Sequence, residues 1–451
     1  MVVSTQAMNT RWRQLLCAER LGHRPPKTDT GRSPFLSDHD KIMFSGAFRR
    51  LAKKTQVHPF ATNDLVHNRM THSLEVACVG RSLAHRVGQR LQRLGYLPQT
   101  CQPSYLGDIV QASCLAHDIG NPPFGHTGES AIRGWFETSG SQVLCELNQQ
   151  QQRDFLNFDG NAQGLRILIN SEYHLNDGGM RLTYATLASF LKYPWLAHQA
   201  RKNGKFGVQV AHHEQLHEIA QKTGMSPSDK GGYHRHPLVY LMEAADDFCY
   251  GVVDLEDGLL MGLVAWDDVF SLLSMVLSAK ESNALHSQLK TIDDALKPAL
   301  VRGQVIEAYI NAGVEAFMTH HDAFVDGSVA TDLVDLCSAP VAQSVHATKA
   351  LAKERIFQHP QKLELEVGAF DIIAHLLDKL VPASLQWQQV DRWNALPKQS
   401  QMLLQLMGIR AEHRLASPYH ALMSTVDFVS GMTDNHAVHL AKQLRGLSDY
   451  R

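Results

Sequence analysis

Seven segments of the chain repeat apolar residues at i, i+3 and i+4, and almost nothing alternates with the period of two that a half-buried strand requires. They are His72–Leu94, Gly107–Asp118, Leu182–Tyr193, Pro237–Leu263, Ser282–Ala316, Phe370–Leu380 and His436–Leu444. A helix with one apolar stripe must bury it against another element, and here only other helices are on offer. The spacing predicts an all-α fold. Gly22–Ser37 reads as an extended arm and Thr223–Pro237 as the most mobile loop, because both are rich in Gly, Pro and polar residues. The 451 residues, 44% of them hydrophobic, divide into an N-terminal arm (1–37), a core (38–265) and a helical region (266–451). That last region is expected to serve packing and oligomer assembly, with a return segment near 414–445.

Charge narrows the function classes. Lys+Arg number 43 against 45 Asp+Glu, a net charge of −2, so binding to nucleic acid or membrane through bulk charge is excluded. Basic segments such as Arg49–Lys54 and Arg81–Arg93 leave a local patch open. No apolar run reaches the roughly 18 residues of a membrane span, and Met1–Gln14 has no secretory apolar core. Seven cysteines, with no CxxC pair, read as reduced thiols. A cytoplasmic protein without a membrane partner is expected. The absence of GxxxxGK[ST] and GxGxxG sets P-loop and Rossmann chemistry aside.

Histidine is over-represented, with 25 residues. His-Asp occurs at 39–40, 117–118 and 321–322, and only His117–Asp118 ends an amphipathic segment with a glycine, Gly120, where a left-handed helix stop would place one. Two adjacent ligating side chains at a helix C-terminus can turn toward one cation, which the helix dipole favours. His72 lies near the start of another amphipathic helix. Downstream, Asp246, Tyr250 and Asp254 repeat every four residues and share a stripe, whereas Asp247 is rotated about 100° away. His72, His117, Asp118 and Asp246 would make a site of two imidazoles and two carboxylates. Such donors suit Mn, Mg, Fe, Ni or Zn with open positions for water and a phosphate oxygen, the arrangement of metal-assisted hydrolysis.

The run His117-Asp118-Ile119-Gly120-Asn121-Pro122-Pro123-Phe124-Gly125-His126-Thr127-Gly128-Glu129 resembles the signature of the HD-superfamily deoxynucleoside triphosphate triphosphohydrolases, bacterial dGTPase branch. Phe48–Val57, Arg69–Val76, Phe158–Gly164, Leu182–Leu187, Lys192–Pro194, Glu243–Asp257 and Gly431–Asp434 are similar to that branch in the same order. Region 265–400 resembles it least. The resemblance implies an HD-domain helical core and a divalent metal held by His72, His117, Asp118 and Asp246. His126 and Glu129 would be the catalytic pair, with His126 either protonating the leaving 5′ oxygen or activating water. Gln56, Tyr250 and Asp254 would hold the deoxyribose, the tyrosine ring crowding C2′, and Arg69, Lys192 and Tyr193 the triphosphate. Asn161, Gln163 and Arg166 lie in a similar segment, and Lys205 is a further candidate for closing the site.

The implied reaction releases deoxynucleoside and inorganic triphosphate from a dNTP, dGTP first. The partners that the resemblance implies are further copies of this chain in a homo-oligomer such as a hexamer, and a nucleotide or single-stranded DNA effector. The alternatives are an HD phosphohydrolase of a nucleoside monophosphate or alarmone-type nucleotide, and a regulatory nucleic-acid-binding protein on an HD fold.

Overall fold

The computed structural model describes residues 4–22, 32–56, 63, 65–170, 172, 177–201 and 203–447. Among them the regular structure is helical, with isolated bridges and no sheet, as the periodicity predicts. No helix among them is long and apolar enough to cross a membrane.

Three long helices form the framework. The first, Arg69–Arg93, starts at a capping box: Asn68 Oδ1 accepts from the Met70 and Thr71 N–H groups, and Thr71 Oγ1 accepts from the Asn68 N–H. These bonds satisfy orphan donors of the first turn and fix the helix start three residues before His72. Its buried face is Val76, Val79, Leu83, Val87 and Leu91. The second, Pro103–Ala116, opens on a proline, whose missing N–H costs nothing at the first helical position. The third, Pro237–Leu260, opens the same way and is buried along most of its length, which explains its apolar composition on every side.

Buried side chains sort into two large hydrophobic bodies. One joins these three helices to the N-terminal helix Thr5–Leu15 and to Lys297–Thr319. The other joins Gly125–Glu137 to Pro360–Gln389, Lys398–Leu406, Pro418–Ser430 and Asp434–Leu444.

Several boundaries differ from expectation. The first 37 residues are not a simple arm: Thr5–Leu15 is a helix whose fully buried Trp12 donates its indole N–H to His321 Nε2 at 3.0 Å. Of the expected Gly22–Ser37 arm, 23–31 lie outside the described residues, and Pro34–Met43 is a helix. Ser282–Ala316 divides into Ala279–Leu289 and Lys297–Thr319, because Pro298 fits only a first turn. Thr223–Pro237 is tied by a Pro227–Tyr233 bridge and by a 2.7 Å hydrogen bond between the Tyr233 hydroxyl and His217. Gly120 does not adopt a left-handed φ. A Cβ there would sit 2.1 Å from both Gly160 O and Gly164 N, so close backbone approach is what requires glycine.

Candidate active site

Each framework helix delivers one side chain to a common point. His72 Nε2 lies 3.0 Å from Asp246 Oδ1, and His117 Nε2 lies 3.6 Å from the same oxygen. One ligand atom from each of the three falls within 4.8 Å of the others. His117 Nδ1 is 2.6 Å from the Cys114 carbonyl, so it carries the proton and leaves Nε2 free as a donor atom. Asp246, not its neighbour Asp247, meets the histidines, in keeping with the stripe read from sequence. Nitrogen and oxygen donors at this spacing fit a divalent ion of the first transition row or magnesium.

Asp118 stands beside this group rather than in it. Its Oδ2 is 3.7 Å from His117 Nε2 but accepts from Arg69 at 2.6 Å, while Oδ1 accepts from Asn121 Nδ2. Burial alone would raise its pKa; Arg69, His117 and His72 outweigh it and bring the group down to about 2. Asp246 is likewise held well below the usual carboxylate range, with His117, His72 and Lys192 overcoming burial.

The group forms one wall of a cavity of about 570 Å³, within the range of nucleotide-sized ligands. His126 and Arg69 line it too. His126 is the most exposed of the candidates, and its Nδ1 lies 3.0 Å from Glu129 Oε2, which leaves Nε2 for the cavity. Glu129 is buried. Its other oxygen accepts from the Gly160 N–H at 2.7 Å, and Lys205 Nζ lies 3.6 Å from Oε2. Burial would raise Glu129, but the His126 hydrogen bond, Lys205 and Gly160 hold it down to about 2, so the imidazole is oriented by an anion. The turn before His126 places Phe124 at φ +64° and Gly125 at φ +58°. At Gly125 a Cβ would lie 2.4 Å from an Arg69 guanidinium nitrogen, so glycine serves both the conformation and the close approach.

A family model described as an HD domain matches residues 69–176, a span that holds His72, His117, Asp118, His126 and Glu129. A Pseudomonas aeruginosa protein named deoxyguanosinetriphosphate triphosphohydrolase-like protein is 46% identical over 445 residues, covering 97% of this chain and 99% of that one. A Synechocystis protein of the same name is 35% identical over 456 residues, covering 97% and 99%. A Klebsiella pneumoniae protein named deoxyguanosinetriphosphate triphosphohydrolase is 29% identical over 487 residues, covering 92% and 94%. The chain belongs to the deoxyguanosinetriphosphate triphosphohydrolase-like family.

In this family member the remaining sequence candidates divide. Gln56 and Tyr250 line the cavity, and Gln56 Oε1 is buried without a hydrogen-bond partner among the described residues. Asp254 is fully buried with neither oxygen hydrogen-bonded among the described residues; burial first, then Asp257 and Asp246, push its pKa well above the ordinary carboxylate value. It does not line the cavity. Nor do Lys192 and Tyr193. Lys192 Nζ is 3.3 Å from Glu243, and the Tyr193 ring packs on Trp195. Gln163 and Arg166 are spent on Asp427, Arg166 through two hydrogen bonds of 2.7 and 2.8 Å. Asn161 is bonded to Asp159.

Part of the cavity lining comes from the region expected to serve packing and oligomer assembly. Lys349, Lys353, Phe357, Lys362 and Glu366 all line the cavity. Lys349 is paired with Asp247, Phe357 stacks on Tyr250 with centroids 5.6 Å apart, and Lys362 lies 3.2 Å from Glu366. The usable signal was the i, i+4 pair Lys349 and Lys353, which reads equally well as a solvated helix face.

Proposed function

We propose that this protein hydrolyses deoxynucleoside triphosphates, dGTP foremost, to deoxynucleoside and inorganic triphosphate. The observation that carries the reading is the meeting of His72, His117 and Asp246 in a cavity whose other walls supply Arg69, Lys349, Lys353 and Lys362. His72, His117 and Asp246, joined by Asp118, would hold a divalent ion, which when bound would supply positive charge to acidify water and polarise a phosphoryl oxygen. Arg69 now neutralises Asp118, and moving its guanidinium to a phosphate would free that carboxylate as the fourth ligand. The lysines offset the three to four negative charges of the triphosphate by charge-assisted hydrogen bonds. Water adds to the α-phosphorus, one of its protons passing to solvent, and the bond from phosphorus to the 5′ oxygen breaks. His126, oriented through Nδ1 by Glu129, gives its Nε2 proton to that oxygen. Gln56, whose buried Oε1 has no hydrogen-bond partner among the described residues, is an acceptor for the 3′-hydroxyl, and the Tyr250 ring in the cavity wall crowds C2′.

Guanine is favoured by Glu366. A carboxylate accepts from the adjacent N1–H and N2–H donors of that base, whereas the corresponding edge of adenine or thymine offers one donor beside an acceptor. A homo-oligomer is part of the same reading, and light scattering measures it. The decisive experiment incubates the protein with each dNTP and Mn or Mg in ¹⁸O-labelled water. The expected products are nucleoside and triphosphate, with the label in triphosphate. Monophosphate with pyrophosphate would refute the proposal.

A further inference from the structure

Two loops that line the cavity are held by one side chain more than 300 residues away. Asp434, in the first turn of Asp434–Leu444, is buried. Its Oδ1 accepts from the Phe124 N–H at 2.9 Å, and its Oδ2 accepts from both the N–H (2.9 Å) and the hydroxyl of Thr55. Phe124 is the non-glycine residue held at positive φ two positions before His126, and Thr55 immediately precedes Gln56. The corner before this helix makes a second tie. Lys54, buried, donates from Nζ to the Asn121 carbonyl and to the Ser430 carbonyl at 2.8 Å. Neither Asp434 nor Lys54 lines the cavity.

We propose that Asp434 is a positioning residue that fixes the His126 turn and the Gln56 loop relative to each other, so that leaving-group protonation and sugar recognition depend on a clasp in the C-terminal helices. The inference rests on the dNTP reading above and deepens it. A left-handed phenylalanine persists only where its surroundings over-determine it, and the Asp434 bond to its N–H is one such constraint. One carboxylate satisfies donors on both loops at once. An amide at the same place cannot, because its NH₂ would face a donor on one side. None of these bonds touches His72, His117 or Asp246, so the clasp predicts lost geometry with metal binding intact.

The test compares Asp434→Asn and Asp434→Glu with the wild type. Misplacing a reacting group by about 1 Å costs roughly 10²-fold, so kcat/KM for dGTP should fall by that order in the Asn variant. The ratio of kcat/KM for dGTP over 2′,3′-dideoxyGTP, which lacks the 3′-hydroxyl, should fall about 10-fold as Gln56 loses its register, while Mn affinity by calorimetry stays within about twofold. The Glu variant, which keeps the charge but shifts it by one methylene, should not rescue either value. An Asn variant with unchanged rate and ratio would overturn the proposal. So would a loss that disappears at lower temperature with the ratio unaltered, or rescue by Glu. If the wild type proves inactive on dNTPs, the dNTP reading fails, but amide hydrogen exchange at Thr55 and Phe124 still decides the clasp. Protection lost at both in the Asn variant supports it, and protection retained refutes it.

Discussion

The two hydrophobic bodies contribute to the cavity in different ways. The first presents His72, His117 and Asp246 from three long helices that pack directly on one another, so the framework that forms the core also forms the candidate donor set. The second carries the His126–Glu129 helix and the start of Pro360–Gln389, and its alignment to the first depends on ties between distant segments. Asp434 to Thr55 and Lys54 to the Ser430 carbonyl are such ties. A donor set built into a close-packed interior tolerates little displacement. A wall assembled through single side chains can be loosened one bond at a time.

The largest effect expected from breaking the first body is at Asp246. Asp246→Ala leaves two imidazoles without the carboxylate oxygen they share, so bound metal measured by mass spectrometry should fall to background, and activity by at least about 10³-fold. Asp247→Ala separates the two readings of this acidic pair. Asp247 faces Lys349, so its loss should keep the metal while raising KM through a displaced cation. If Asp247→Ala loses the metal and Asp246→Ala keeps it, the assignment of the donor set to the framework helices is wrong.

How much of this was legible follows the same division. His72, His117 and Asp246 could be read because helical periodicity fixes which residues share a face, and Asp246 and Asp247 differ by about 100° of rotation. The end of the helix near Gly120 was readable, though the reason for that glycine, contact with Gly160 and Gly164, belongs to tertiary structure. Trp12 gave no signal, since an 11-residue polar helix is stabilised mainly by where it docks. Lys349, Lys353 and Lys362 resemble any solvated helix face until the cavity in front of them is seen. Asp434 stood in a recognisable segment, but nothing local says that its carboxylate answers to Thr55 and Phe124.

A smaller effect should appear where the first body is anchored ahead of His72. His67 lies between two acids, Nδ1 2.7 Å from Asp257 and Nε2 3.3 Å from Glu75. Burial would lower its pKa, yet the bonds to Asp257 and Glu75 raise it from 6.5 to about 10. The folded value exceeds the unfolded one, so the stabilisation is complete below pH 6.5 and drains away as pH rises toward 10. His67→Gln should therefore be destabilised by roughly 2–3 kcal/mol at pH 6, after discounting for partial exposure, and the difference from wild type should shrink by pH 10. Urea titrations across that range measure it. A gap that stays constant with pH would mean that His67 acts by packing, not by charge.

The smallest effect is expected in the second body, at Glu366. Glu366→Gln keeps the shape of the side chain and half of its acceptor capacity, replacing one oxygen with a donor that opposes the guanine N–H groups. A lost or opposed hydrogen bond to a charged acceptor is worth about 1.5–3 kcal/mol, and the Lys362 contact at 3.2 Å already screens this carboxylate. The preference for dGTP over dATP, read as a ratio of kcat/KM, should therefore fall about 10-fold at most, with kcat for dATP unchanged or slightly higher. Metal affinity should not move, because Glu366 lies outside the His72, His117 and Asp246 donor set. A variant that lost metal would couple the two bodies more tightly than their separate cores suggest. One that kept its full base preference would move guanine recognition to another part of the wall.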